Sequence, residues 1–316
     1  MPPYTKPYLS VPDQLGLLKS RGLQVANDVD AADCLRRNGY YRLSAYWYPF
    51  REIAGGIRTD RFLPGSQFED AQRLYLFDKA LKLLLLDGLE CVEIAARVAV
   101  ALELGQRDTF AHERPALFHP NFTRTVAGPR RSGYDKWIEK FRQRVTESRD
   151  EFVLHHEHQY GSRSPLPIWI AIELWDFGLL SHAFSGMRVA DQSSVAARFS
   201  VPNRLLMESW LRSLNYVRNV IAHHGRLWNL SLNVNPAPPR IGEIQEFDSF
   251  LTWRRSWTRI FSICAILCYF TRVINPQSPW IRQLKDLVSD FPAMPYATVH
   301  DMGFQPGWEA HALWTA

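Results

Sequence analysis

Several things are scarce in this sequence. Its four cysteines, Cys34, Cys91, Cys264 and Cys268, form no CxxC pair, which argues against a zinc site or a dithiol redox motif. They sit among apolar residues and read as reduced core side chains of an intracellular protein. The opening "MPPYTKPYLSVPDQ" has no charged stretch followed by an apolar one, so no secretory signal is read there. The longest apolar run, "IFSICAILCYF" at 260–270, is too short to span a bilayer. A cytoplasmic location with no membrane partner is expected, and no cofactor or metal. Lysine is scarce too, with 7 against 30 arginines.

What is present is a composition able to build a core. Of 316 residues, 46% are hydrophobic and 13% aromatic, enough for one large domain or two modest ones. The net charge of +5 is compatible with a polyanionic partner. The planar fork of arginine suits phosphate, although genomic codon bias explains the Arg-to-Lys ratio equally well.

Strand-like alternation is rare, whereas apolar residues recur at three- and four-residue spacing, which predicts an all-α bundle. A first helix is expected after Ser10, ending near Gly22, and a second over roughly 30–37. The aromatic segment "YYRLSAYWYPFRE" (40–52) and a loop (53–67) follow. The longest pattern runs over 68–104, where Leu74, Phe77, Leu81, Leu84, Leu85, Leu89, Val92, Ala96, Val100 and Leu104 share one stripe; Gly88 is a candidate kink. A basic loop at 114–133 precedes one helix at 134–160 and a Pro-flanked segment at 165–186. Further helices are expected from Asn203 to His224 with Gly225 as the stop, over 247–273, and after Pro279. Three regions result: an N-terminal helical extension (1–66), the helical bundle (67–290) and an irregular C-terminal tail (291–316).

The chemistry concentrates in "NYVRNVIAHHGRLWN" (215–229). Arginine followed at short spacing by histidine is not informative alone, since composition predicts roughly three such pairs and the chain has six. The pairs from Arg107 to His112 and Arg114 to His119 fall in or beside a loop. Arg149 with His155 and His156 lies on a charged, solvated face. Only Arg218 with His223 and His224 sits in an apolar helix. There Asn219 and His223 are one turn apart on one face, and a long Arg218 side chain can reach toward it. A histidine can move a proton at a ribose 2′-hydroxyl, an arginine can neutralise a phosphate, and an asparagine can orient either. The competing reading is structural, with buried Arg, Asn and His capping the helix end and holding the following turn.

With those residues in view, "RNVIAHHGRLWN" resembles the signature of the Abi-like (abortive infection) proteins of bacteria, within the HEPN superfamily of all-α ribonucleases. "LLKSRGL" (17–23), "NGYYRLSAYWYPFR" (38–51), the segment 74–105 and "LPIWIAIELWDFGLLSHAFS" (166–185) resemble the family's other blocks in order. The resemblance implies a HEPN-type bundle, usually a homodimer, whose paired motifs form a ribonuclease site. Carried over by position, Arg218, Asn219 and His223 match its arginine, polar and histidine positions, with His224, Arg226, Trp228 and Asn229 flanking. It implies a toxin against phage-infected cells and RNA as partner, either as substrate or as a small cognate antitoxin or guide RNA. Some HEPN proteins bind RNA without cutting it, so a non-catalytic RNA-binding module is the alternative.

Further candidates are weaker. Tyr41, Arg42, Trp47 and Arg51 offer rings and charge for unpaired RNA, or else dock the extension on the bundle. Arg124, Arg130 and Arg131 offer phosphate contacts in the basic loop, and so does Arg226. Glu93 and Arg97 on the long helix form an intrahelical pair or orient the Arg218/His223 motif from behind. Glu173 and Asp176 are candidate partners of a buried arginine.

Overall fold

The computed structural model describes residues 3, 5, 7–125, 131–162 and 164–315. The fold is all-α apart from one hairpin. Ser10 caps α1 (Val11–Ser20), and Asn27 caps α2 (Asp28–Asn38), its side-chain oxygen accepting from the Val29 amide at 3.0 Å. α3 (Tyr40–Trp47) carries the aromatic segment. Where a loop is expected, β1 (Arg51–Ala54) and β2 (Ile57–Phe62) pair antiparallel, with Ala54 opposite Ile57. Gly55 and Gly56 both have positive φ, 59° and 79°, as a two-residue turn between twisted strands requires. Strands this short and polar carry no alternation to detect.

α4 (Phe68–Gly105) is the spine, and its expected stripe is buried from Leu74 to Leu104 except for Leu84, which is half-buried. It packs against α3 and against most of the helices that follow. Gly88 lies within continuous helix, where a Cβ would come 2.6 Å from the Trp280 ring. The glycine therefore admits an aromatic ring and is not a break.

After the short α5 (Pro120–Thr123), the expected single helix at 134–160 is two: α6 (Gly133–Glu147) and α7 (Glu151–Tyr160). The break is local chemistry. Ser148 turns extended, and its hydroxyl accepts from the Asp150 amide at 3.1 Å. α8 (Ile168–Ala171) and α9 (Phe177–Gly186) fill the Pro-flanked segment, and α10 (Val189–Arg198) was not expected at all. α11 (Arg204–Ala222) matches its expected span, with Asn203 as N-cap.

The helix expected from 247 is instead α12 (Gln245–Asp248), a run of turns and α13 (Ile260–Ile274). Phe250 closes those turns by accepting from the Trp257 indole at 3.2 Å while its ring packs on Phe261 and His311. Every residue of α13 from Ile260 to Thr271 is buried, so this helix runs through the core, flanked by α4, α11 and α14 (Trp280–Ser289). Residues 291–315 form only 3-10 turns, yet Met302, Phe304, Trp308, Leu313 and Trp314 are buried. All four cysteines are free. No described helix is long and apolar enough to cross a membrane.

Two histidines from the basic regions are not where their neighbours suggest. His156, expected on a solvated face, is buried and packs on Tyr160 with ring centroids 4.8 Å apart. His112 is fully buried against Phe141, and among the described residues neither ring nitrogen has a hydrogen-bond partner. Burial, with help from the Arg142 cation, pushes His112 down from its ordinary 6.5 to about 4. Between those values the unfolded chain binds a proton that the native chain refuses, so stability is complete above pH 6.5 and falls as pH drops toward 4. By pH 5 the loss is on the order of 2 kcal/mol. Urea denaturation at pH 7 and pH 5 should show this loss in the wild type and a smaller one in His112→Phe.

Candidate functional site

α11 is amphipathic, and its two faces settle where the motif points. Leu206, Met207, Trp210, Leu211, Leu214, Val217 and Ile221 are buried. On the other side Asn219 and His223 are exposed one turn apart, and Arg218 is half-buried beside them. The apolar residues that flank the motif in sequence thus point away from it. The competing reading, a buried cap network, is not what forms: His223 and His224 are exposed and their rings make no hydrogen bond among the described residues. One Arg218 guanidinium nitrogen lies 3.4 Å from the Asn219 side-chain oxygen, so the arginine does reach the Asn219/His223 face.

The helix ends in an unusual way. His223 is the C-cap, and His224 takes a left-handed conformation with φ of 56°. The His224 amide donates to Ile221 at 2.9 Å and the Gly225 amide to Val220 at 2.8 Å, the paired bonds that close a helix when a left-handed residue follows the cap. That residue is usually glycine, and here Gly225 was expected to serve. Gly225 has another task, because a Cβ there would sit 2.8 Å from the Val220 side chain. A histidine held left-handed costs about 1–2 kcal/mol, and such strain collects at functional sites.

Behind the motif the chain is anchored by a residue not foreseen. Asp78 of α4 is fully buried and accepts from the amides of Leu227 and Trp228 at 2.9 and 2.7 Å, and from the Tyr46 hydroxyl at 2.7 Å. Lys82, one turn on, lies 3.1 Å from the same carboxylate and 3.4 Å from the Gly225 carbonyl. Burial and the Asp78 charge together push the Tyr46 hydroxyl well up. The signal was an aspartate on the Leu74/Leu81/Leu85 stripe with a lysine four residues later.

The extension meets the motif through two arginines. Arg42 of α3 donates to the His224 carbonyl at 2.9 Å, and Arg226 donates back to the Ala45 carbonyl. Both were candidates for RNA contact, and both have internal partners. Trp47 is fully buried against Tyr40 and Phe68 and offers no face to a base. Arg51 pairs with Asp60 at 3.0 Å between the rings of Tyr48 and Phe62. Tyr41 is exposed. Arg124 is exposed at the end of α5, Arg131 pairs with Glu139 at 2.5 Å, and Arg130 lies outside the described residues.

Glu93 and Arg97 form the expected intrahelical pair, and Arg97 also approaches Glu173 at 3.8 Å. Burial raises the Glu93 carboxyl, while the nearby cations Arg97 and Arg218 pull it back. The Arg218 charge is thus felt at Glu93, whose ion pair is with Arg97. Asp176 pairs with Arg144 and caps α9 through the Leu179 amide.

The family model for Abi-like proteins matches residues 33–229. The chain belongs to the Abi-like protein family. Among curated proteins and among solved structures, nothing matches it at a significant level. The match ends just past the two amides held by Asp78, so the Abi-like region includes α4, the motif and its anchor. Membership points to abortive infection, a defence against phage.

Two stability changes follow for this Abi-like chain. Asp78→Ala, which leaves Lys82 and two buried amides without their acceptor, should cost about 3–5 kcal/mol in urea denaturation. His224→Gly, which relieves the left-handed side chain, should gain up to about 1 kcal/mol in the same assay.

Proposed function

We propose that this Abi-like chain is a phage-defence endoribonuclease of the HEPN type, cutting RNA without a metal and leaving a 2′,3′-cyclic phosphate and a 5′-hydroxyl. The observation that carries the reading is the meeting of Arg218, Asn219 and His223 on one exposed stretch of α11, with the imidazoles uncommitted. In the reaction His223 takes the 2′-hydroxyl proton as the 2′-oxygen attacks phosphorus. The bond from phosphorus to the 5′-oxygen breaks, and a second imidazolium returns a proton to that oxygen. Arg218 neutralises charge building on the phosphate, Asn219 orients the reacting groups, and Glu93 positions the Arg218 guanidinium.

One chain supplies one such set. The second imidazole comes from the same histidine of a second copy across a two-fold axis, with His224 as the in-chain candidate. A cognate structured RNA that restrains or guides the protein belongs to the same reading, and the net charge of +5 supports a polyanionic partner.

The test is cleavage of labelled RNA in EDTA by protein stripped of nucleic acid, comparing wild type with His223→Ala. Cyclic-phosphate ends from the wild type and a loss of about 10²–10⁴-fold in the variant are expected. Cleavage that vanishes in EDTA, or that the variant retains, overturns the mechanism. If neither protein cuts while both hold RNA equally, the chain is a non-catalytic RNA-binding module.

A further inference from the structure

α11 carries more polar residues on the motif face than the motif itself. Arg212, Asn215, Tyr216, Asn219 and His223 follow one another at three-, four- and one-residue steps along that side of the helix. α9 lies alongside, and between the two helices runs an open groove of about 510 Å³, within the usual ~300–1,000 Å³ of a ligand cleft. Its α9 wall includes Ser181 and His182, and its α11 wall includes Arg212, Asn215, Tyr216 and Asn219. Asn219 thus belongs both to the motif and to the groove, which makes the two continuous.

Among the described residues, the Arg212, Asn215, Tyr216 and His182 side chains do not bond one another, while the Ser185 hydroxyl donates to the His182 carbonyl at 2.9 Å. Among the described residues, Arg212 has no ion pair or hydrogen bond, although Glu208 stands one turn before it on the same helix. The Asn215 amide, the Tyr216 hydroxyl and the His182 ring likewise have no intramolecular hydrogen bond. Arg97, Arg107, Arg142 and Arg144 are ion-paired, whereas among the described residues Arg212, like Arg198 and Arg282, is not. A free guanidinium, a half-buried phenol ring and an uncommitted amide within about two turns of helix match the parts of one nucleotide: phosphate, base face and base edge.

We infer that the α9–α11 groove seats the unpaired nucleotides next to the scissile phosphate, with Arg212 on a backbone phosphate, Tyr216 stacked on a base and Asn215 at that base's edge. This rests on the ribonuclease reading and adds to it where the strand runs and what selects the cut site. From Arg212 to Asn219 the helix rises about 10 Å, so the groove holds a short segment only. Glu208, at the far end, repels a further phosphate and limits the path. Arg212 and Tyr216 are positioning residues, and His223 keeps the proton transfer.

The probe is 2′-O-methyl hexauridylate, which lacks the nucleophile and cannot be cut, titrated into the full-length protein over a range of salt. Arg212→Gln should weaken binding and lower the log–log salt slope by about 0.7, the share of one single-strand phosphate. Tyr216→Ala should weaken binding about fivefold or more with the slope unchanged, and Tyr216→Phe should restore it. With cleavable RNA both substitutions should raise KM more than they lower kcat, and Asn215→Ala should shift which base flanks the cut. Misfolding would remove both signatures together and would not spare Tyr216→Phe. If the wild type cuts RNA and these variants bind the probe with wild-type affinity and slope, the groove assignment is wrong and the ribonuclease reading survives. If the wild type neither cuts RNA nor binds the probe, both fall.

Discussion

The buried carboxylate of Asp78 is the constraint around which the candidate site is arranged. An unpaired charge inside a protein is costly, and this one is met by two backbone amides, a phenol and an ammonium group. Hydrogen bonds to a charged group are worth about 1.5–3 kcal/mol each, so the four partners are drawn together with some force. They come from three distant parts of the chain: the spine helix, the aromatic helix before it, and the segment that leaves the motif. Because Leu227 and Trp228 are held there, the chain must turn sharply between His223 and Leu227. That turn is what forces a histidine into the left-handed region.

The motif is thus rigid behind and open in front. Its backbone is fixed by the paired bonds that close α11, by Asp78 through the next residues and by Arg42 on the His224 carbonyl. Its imidazoles face outward. This is the arrangement expected of groups that act on a large polymer laid across a surface. A small substrate would call for an enclosed cavity.

The elements legible in the sequence are those with one long, clean apolar stripe. α4 and α11 stand where their periodicity puts them. α10 was missed because its inward face includes Asp191 and Gln192, which are buried only because Arg107 and Arg204 meet them and Gln192 also donates to the Phe184 carbonyl. Polar residues at core positions erase the pattern, and their partners lie outside the helix, 84 residues away in the case of Asp191. Asp78 is likewise a polar residue on an apolar stripe, and its amide partners are 149 and 150 residues on. The residues of the motif were legible, but their surroundings were misread. Val217 and Ile221 are neighbours in sequence and sit on the opposite side of the helix. Arg212, Tyr216, Asn219 and His223 share a face that helical periodicity alone makes readable.

The exchange of arginines between α3 and the turn after α11 has a consequence for how such chains can vary. Arg42 satisfies a carbonyl of the turn and Arg226 satisfies a carbonyl of the helix, so each segment lends the other a donor. Loss of Arg226 leaves the half-buried Ala45 carbonyl without its donor, while loss of Arg42 releases the His224 carbonyl to water. The two bonds are made independently, so lineages of this family should keep a donor at positions 42 and 226, and tolerate length changes in the hairpin that separates α3 from α4 far better than any change of length within α3. The hairpin is free to diversify because the clasp is made on either side of it.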